Sequence, residues 1–163
     1  MTAAPRQRFA IARARFNGDI TQALLDGALR AFEAAGVARK RVDVFEVPGS
    51  FELPLAALWL GRSRTYDAIV CLGCVIRGET PHFDFVAAQA ARGIASAAWS
   101  TGIPVIFGVI TANTVEQAWA RAGGSAARAS DHVGRPVSGN KGYEAAQAAI
   151  DMAALRARLR FKR

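Results

Sequence analysis

Ala68-Ile69-Val70-Cys71-Leu72-Gly73-Cys74-Val75-Ile76 is a nearly continuous apolar run, and its reading decides the fold. An unbroken run, in place of strict alternation, marks a strand covered on both faces, as the central strands of a parallel sheet are. Downstream, Thr80 is predicted to cap a helix with Pro81 at its first position, running to about Trp99 and ending at Thr101-Gly102. Pro104 to Ile110 reads as the next buried strand. Thr114-Val115-Glu116-Gln117 spells a capping box for a short helix to about Ala122, which Gly123-Gly124 stops, and a last helix is predicted from Lys141 to Leu159. Upstream, Arg8 to Ala14 is β-rich, and Ile20 to Ala35 is helical with Gly36 as its stop. Arg41 to Val47 alternates like a strand, Pro48-Gly49-Ser50 is a turn, and Glu52 to Leu60 spaces its apolar residues for a helix.

Strands that alternate with helices in this way predict an α/β protein: a three-layer α/β/α sandwich around a four-stranded parallel sheet, flavodoxin-like in plan. No repeat and no second core appears, so residues 1–163 are expected to form one domain with a long surface loop at 123–139. Ligands of such sheets bind beyond the carboxyl ends of the strands. That rule gathers Phe16, Asn17, Pro48 to Glu52, Ile76 to His82 and Thr111 on one rim.

Composition narrows the class. Of the 163 residues, 52% are hydrophobic and 21% charged, enough apolar content for a core and too little polar sequence for a disordered chain. Met1 to Gln7 does not read as a secretory signal, and Ala87 to Trp99 is interrupted by Gln89, Arg92, Gly93 and Ser96, short of the roughly 20 apolar residues a membrane span needs. A cytoplasmic protein without a membrane partner is expected. Two cysteines make no disulfide framework and suit a reducing compartment. The formal charge of +8 can attract nucleic acid, membrane or a small phosphorylated substrate, but few aromatics interleave with the arginines as a base-stacking surface requires. No nucleic-acid partner is expected.

Several rim residues have chemistry to offer. Gly73-Cys74-Val75-Ile76-Arg77-Gly78-Glu79-Thr80 misses the Walker phosphate loop because Glu79 stands where lysine is required, which argues against nucleoside triphosphates. A glycine-containing turn leading into a helix still offers amide N–H groups to a single phosphate; the bland reading is a tight turn. His82, near the start of that helix, is either a proton shuttle beside a bound anion or a packed histidine. Phe16 can stack on a planar heterocycle or act as a hydrophobic staple. Glu52 can accept hydrogen bonds from a polyhydroxyl chain or favour a helix start. Arg121 and Lys141 can bind phosphate or serve helix ends. Cys71 and Cys74 have the C-x-x-C spacing, but residues three apart on a strand face opposite ways, so buried structural thiols are expected.

Arg15-Phe16-Asn17, Val47-Pro48-Gly49-Ser50-Phe51-Glu52-Leu53-Pro54, Gly78-Glu79-Thr80-Pro81-His82-Phe83-Asp84, Phe107-Gly108-Val109-Ile110-Thr111, Gln117-Ala118 with Arg121, and Asn140-Lys141-Gly142 with Glu144-Ala145-Ala146 occur in an order that resembles the lumazine synthase family. The resemblance runs from Phe9 to Leu159. It implies riboflavin biosynthesis by condensation of 5-amino-6-(D-ribitylamino)uracil with 3,4-dihydroxy-2-butanone 4-phosphate, without metal or organic cofactor. By the same resemblance Phe16 stacks on the pyrimidine, Ser50, Phe51 and Glu52 hold its uracil and ribityl side, and Val75 and Ile76 line the ring pocket. Glu79 and Thr80 give amides to the phosphate, Arg121 gives its guanidinium, and His82 moves protons. Phe107 and Lys141 enter from a neighbouring subunit, which implies a homo-oligomer with sites between subunits.

Family members form pentamers, some of them packed as 60-subunit shells. Here Gly123 to Gly139 spends roughly a dozen more residues than the short forms do. In the family a longer turn here accompanies pentamers that form no shell, so a free pentamer is expected. Only about seven residues precede the first strand, so any strand exchange through that arm is expected to be short. A non-catalytic lumazine- or flavin-binding protein, or a basic scaffold, are the alternatives; the first has no need of Arg121 and His82, and the second predicts steep salt-dependent DNA binding.

Overall fold

The computed structural model describes residues 6–124 and 139–160. Nearly all of the expected surface loop at 123–139 lies outside the described residues.

The chain runs β1 (Phe9–Ala14), α1 (Gly18–Ala34), β2 (Val42–Val47), α2 (Leu53–Arg62), β3 (Ala68–Ile76), α3 (His82–Thr101), β4 (Val105–Ala112), α4 (Val115–Arg121) and α5 (Lys141–Arg160), with single 3₁₀ turns at Arg39–Arg41 and Ser50–Glu52. The strands pair in the order β2-β1-β3-β4, all parallel, with Phe9 opposite Val42 and Ala68, and Ile69 opposite Val105. The α/β/α sandwich read from the sequence is therefore the architecture found.

β3 is buried over eight of its nine residues, as its unbroken apolar spelling predicts. One face of the sheet carries Phe9, Ile11, Val70, Leu72 and Cys74 against α1 and α5, with Leu24, Phe32, Ala146 and Ile150 as their counterparts. The other face turns Ala10, Ala12, Ile69 and Cys71 toward Leu53, Ala57, Ile94 and Ala97 of α2 and α3. Cys71 and Cys74 thus sit in different cores, both unpaired thiols, and burial pushes each pKa up to about 12.

Three helix starts differ from expectation, α1 opening at Gly18, two residues ahead of Ile20. α2 begins at Leu53 because Ser50–Glu52 first winds a 3₁₀ turn, in which the Glu52 carboxylate accepts from the Gly49 N–H at 2.9 Å. α3 begins at His82 with Pro81 in the N-cap position, and Thr80 makes no capping bond. The fixed φ of proline suits either place, and here the Asp84 N–H bonds the Pro81 carbonyl at 3.0 Å. Thr114 does cap α4, accepting from the Gln117 N–H at 3.2 Å, but the Gln117 side chain reaches back to the Asn113 N–H in place of Thr114's own, one residue short of a capping box.

The amino ends of the strands are tied together by charge. Arg8 hydrogen-bonds Asp43 at 2.8 Å and Tyr66 donates to the same carboxylate oxygen at 2.9 Å. The Arg8 bond first, and then that of Tyr66, hold the Asp43 pKa below the ordinary carboxylate value.

Candidate active site

The chain steps outward from β1 to β2, then returns across β1 to β3 and β4, so the order of connection reverses between β1 and β3. At such a switch point the loops diverge and leave a crevice beyond the strands' carboxyl ends. A cleft of about 720 Å³ lies there, walled by the segments that follow β1, β2 and β3.

Phe16 comes from the first of these segments and is 72% exposed. The backbone around it is firmly held: the Arg15 and Phe16 N–H groups donate to the carbonyls of Val47 and Pro48 at 2.9 and 3.0 Å. Asn17 takes the left-handed conformation (φ 55°), which asparagine tolerates better than most residues, and its amide donates to the Cys74 carbonyl at 2.9 Å. The ring is thereby presented to the cleft by a rigid mount, as a stacking surface requires.

The turn after β2 supplies Ser50, Phe51 and Glu52. Phe51 and Glu52 are exposed, whereas the Ser50 hydroxyl is buried against Gly73 and has no hydrogen-bond partner among the described residues. It packs against β3, while Ser50 itself lines the cleft beside the Phe51 ring and the Glu52 carboxylate.

Val75 and Ile76, at the end of β3, line the cleft floor, and Thr80 and His82 its far wall. Glu79 is exposed on the same bend but does not line the cleft. Gly73, the first glycine of the Walker-like string, lies inside β3, so that string is strand followed by a short bend and no phosphate loop. The wall at α3 also contains Phe83, Phe85 and Val86, to which the sequence assigned no role; the aromatic density of His82-Phe83-Asp84-Phe85 was the available signal. Arg77 locks this lip, bonding Asn113 at 3.1 Å and Asp84 at 3.1 Å while its guanidinium lies 4.4 Å from the Phe83 ring centre.

Phe107, Arg121 and Lys141 are elsewhere. They line a second hollow of about 420 Å³ on the β4 and α5 side, which shares no residue with the cleft. Arg121 is thus grouped with Phe107 and Lys141, apart from Thr80 and His82 of the same chain. Lys141 pairs with Glu144 at 2.6 Å, and Arg121 donates to the Gln117 carbonyl at 3.4 Å.

Chemically, the cleft combines aromatic surface, a carboxylate and an imidazole. Cys74 lines it too, but a thiol with its pKa pushed up to about 12 by burial supplies no thiolate nucleophile near neutrality. Among the described residues no group of three or more His, Cys, Asp or Glu is placed to hold a metal ion.

A doubly wound α/β sheet with an aromatic-walled crevice at its switch point defines the class as a small-molecule-binding α/β protein of the flavodoxin-like kind. The particular family follows from comparison. The family model described as 6,7-dimethyl-8-ribityllumazine synthase matches residues 6–157. A 6,7-dimethyl-8-ribityllumazine synthase of Syntrophus aciditrophicus (strain SB) is 48% identical over 145 residues, 89% of this chain and 86% of that protein. Another, of Desulfatibacillum aliphaticivorans, is 48% identical over 146 residues, 90% of this chain and 86% of its own length. The chain belongs to the 6,7-dimethyl-8-ribityllumazine synthase family.

Proposed function

We propose that the chain, acting as a single domain, condenses 5-amino-6-(D-ribitylamino)uracil with 3,4-dihydroxy-2-butanone 4-phosphate to give 6,7-dimethyl-8-ribityllumazine, phosphate and water in riboflavin biosynthesis. The observation that carries this reading is the cleft at the switch point, where Phe16, the 50–52 turn, and Val75 and Ile76 with His82 come together from three separate segments.

The pyrimidine stacks on Phe16, with its uracil and ribityl side on Glu52, the Phe51 ring and the backbone of Ser50, over the apolar floor of Val75 and Ile76. Its 5-amino nitrogen attacks the ketone carbonyl, and loss of water leaves an imine. A proton then leaves carbon as the C–O bond to phosphate breaks, and the ribityl-bearing nitrogen closes the ring with loss of further water. His82 takes and returns protons at these steps. Most of the acceleration comes from holding two polar reactants in register, with acid-base help added to it.

Phosphate is held by the amides of the bend at Glu79 and Thr80 and by Arg121. Because Arg121, Phe107 and Lys141 line a hollow apart from the cleft, the complete site needs the hollow of one subunit facing the cleft of its neighbour. The active form is a homopentamer that does not assemble into a 60-subunit shell and works in the cytoplasm, a reading supported by a chain with two cysteines and no disulfide framework.

Purified protein mixed with both substrates should generate the fluorescence of the lumazine product, and scattering should report a pentamer-sized particle. Binding of the product without its formation favours a non-catalytic lumazine-binding protein; a shell-sized particle refutes the assembly.

A further inference from the structure

Arg121 is the last residue of α4 and Lys141 the first of α5. Between them runs the whole stretch 122–140, so sequence proximity does nothing to bring these cations into one hollow. The structure does it at one residue, Asn140.

Asn140 is 2% exposed. Its amide donates to the Ala23 carbonyl in α1 at 3.1 Å and to the Ala122 carbonyl at the end of α4 at 2.6 Å. Its side-chain oxygen accepts from the Tyr143 N–H at 3.1 Å, capping α5. Three helices are thus strapped at one buried amide, and Ala122 and Asn140 themselves form an isolated antiparallel bridge. The seat is built to fit. A Cβ on Gly27 would come within 2.2 Å of the Asn140 oxygen, and one on Gly142 within 1.9 Å of the Leu24 carbonyl oxygen, so Gly27 cannot be replaced without displacing the Asn140 amide, nor Gly142 without moving α1 from α5. Gly123 closes the seat from outside at φ +85°, where its absent Cβ leaves 3.1 Å to that of Asn140.

The cations are the immediate neighbours of the bridged pair, Arg121 before Ala122 and Lys141 after Asn140. Any slip at the strap is passed directly to their backbone positions. We propose that Asn140 is the positioning residue of the anion-recognising pair Arg121 and Lys141, setting their separation and aim in the hollow that receives the phosphate of the four-carbon substrate. This rests on the catalytic reading above.

Asn140→Asp and Asn140→Ser both keep an oxygen able to cap Tyr143. Neither can donate to Ala23 and Ala122, the aspartate because its oxygens only accept and the serine because it is too short. Each is assayed with either substrate varied, with inorganic phosphate as inhibitor, and by thermal unfolding at fixed protomer concentration. The expected result is a KM for the phosphorylated ketone raised about tenfold and an inhibition constant for phosphate raised in parallel, while the pyrimidine KM stays within about twofold, since buried hydrogen bonds of this kind carry that order of effect. Folded variants with wild-type ketone KM and phosphate inhibition overturn the assignment, and so does an equal loss toward both substrates. If neither variant folds, Gly123→Ala, whose Cβ would stand 3.1 Å from the Asn140 Cβ and 3.2 Å from its amide nitrogen at a left-handed φ of +85°, must show the same selective loss in smaller measure; a folded G123A with an unchanged ketone KM overturns it. Turnover by the wild type separates the two readings: an inactive wild type sinks the function, an active one with indifferent variants sinks Asn140 alone.

Discussion

Gly73→Ala puts a methyl group where the floor of the cleft has no room for one. The new Cβ would stand 2.4 Å from the Ser50 hydroxyl oxygen, 3.1 Å from a Leu53 methyl and 3.4 Å from the Ser50 Cβ, so the hydroxyl is about 1 Å inside ordinary contact. Ser50 can escape only by rotating its side chain or lifting its turn, and overpacking of this kind costs about 1–3 kcal/mol. In a chain of this size each kcal/mol lowers the unfolding midpoint by about 2–4 °C. Ser50→Ala removes the offending oxygen, and because that buried hydroxyl has no partner its loss alone should be neutral or slightly stabilising. The double variant should therefore recover more than half of the Gly73→Ala loss, the remainder being the Leu53 contact. The assay is thermal and urea unfolding of all four proteins at one protomer concentration. Additive effects, with a coupling below about 0.3 kcal/mol, would show that the contact between Gly73 and Ser50 has no energetic meaning.

His82→Gln should lower kcat by about 10²-fold while KM values hold, because orientation survives the loss of the proton carrier; an unchanged kcat removes His82 from the chemistry. Arg121→Ala should raise the ketone KM more than any change at His82 does, and a ketone affinity equal to wild type would contradict phosphate capture by the guanidinium. Cys71 and Cys74 should resist a neutral-pH thiol reagent until the protein is unfolded, since burial pushes both thiols up to about 12; rapid labelling of the native protein would disprove their packing. Asp43, whose pKa is lowered in the fold, contributes stability that is present above the ordinary carboxylate range and is lost as pH falls below it. Asp43→Asn should accordingly flatten the acid limb of the stability curve; an acid limb identical to wild type would show that the Arg8 and Tyr66 bonds do not matter.

The sheet was legible because burial on both faces leaves a strong trace: the run from Ala68 to Ile76 coincides with β3 to the residue. The start of α3 was less so. Thr80-Pro81 has the spelling of a cap and first turn, but the helix opens two residues after Thr80, at His82, where Arg77 reaches across to Asp84 and Phe83, contacts that no local pattern encodes. The cleft residues were found by a topological rule, since loops at the carboxyl ends of parallel strands must meet. The grouping of Arg121 with Phe107 and Lys141 was hidden, because it depends on the edge of the sheet from which α4 and α5 descend. Asn140 was read only as part of a motif. Its better signal was Gly27, a glycine in a helix interior, where glycine is destabilising unless something must approach closely.

The bridge between Ala122 and Asn140 fixes the distance between two points on the backbone whatever the chain carries from one to the other. Closing a segment over such an anchored base grows costlier only by about 0.6 kcal/mol for each doubling of its length. Changing the length of the connection between Ala122 and Asn140 should accordingly cost the fold little, provided that the bridge itself is kept.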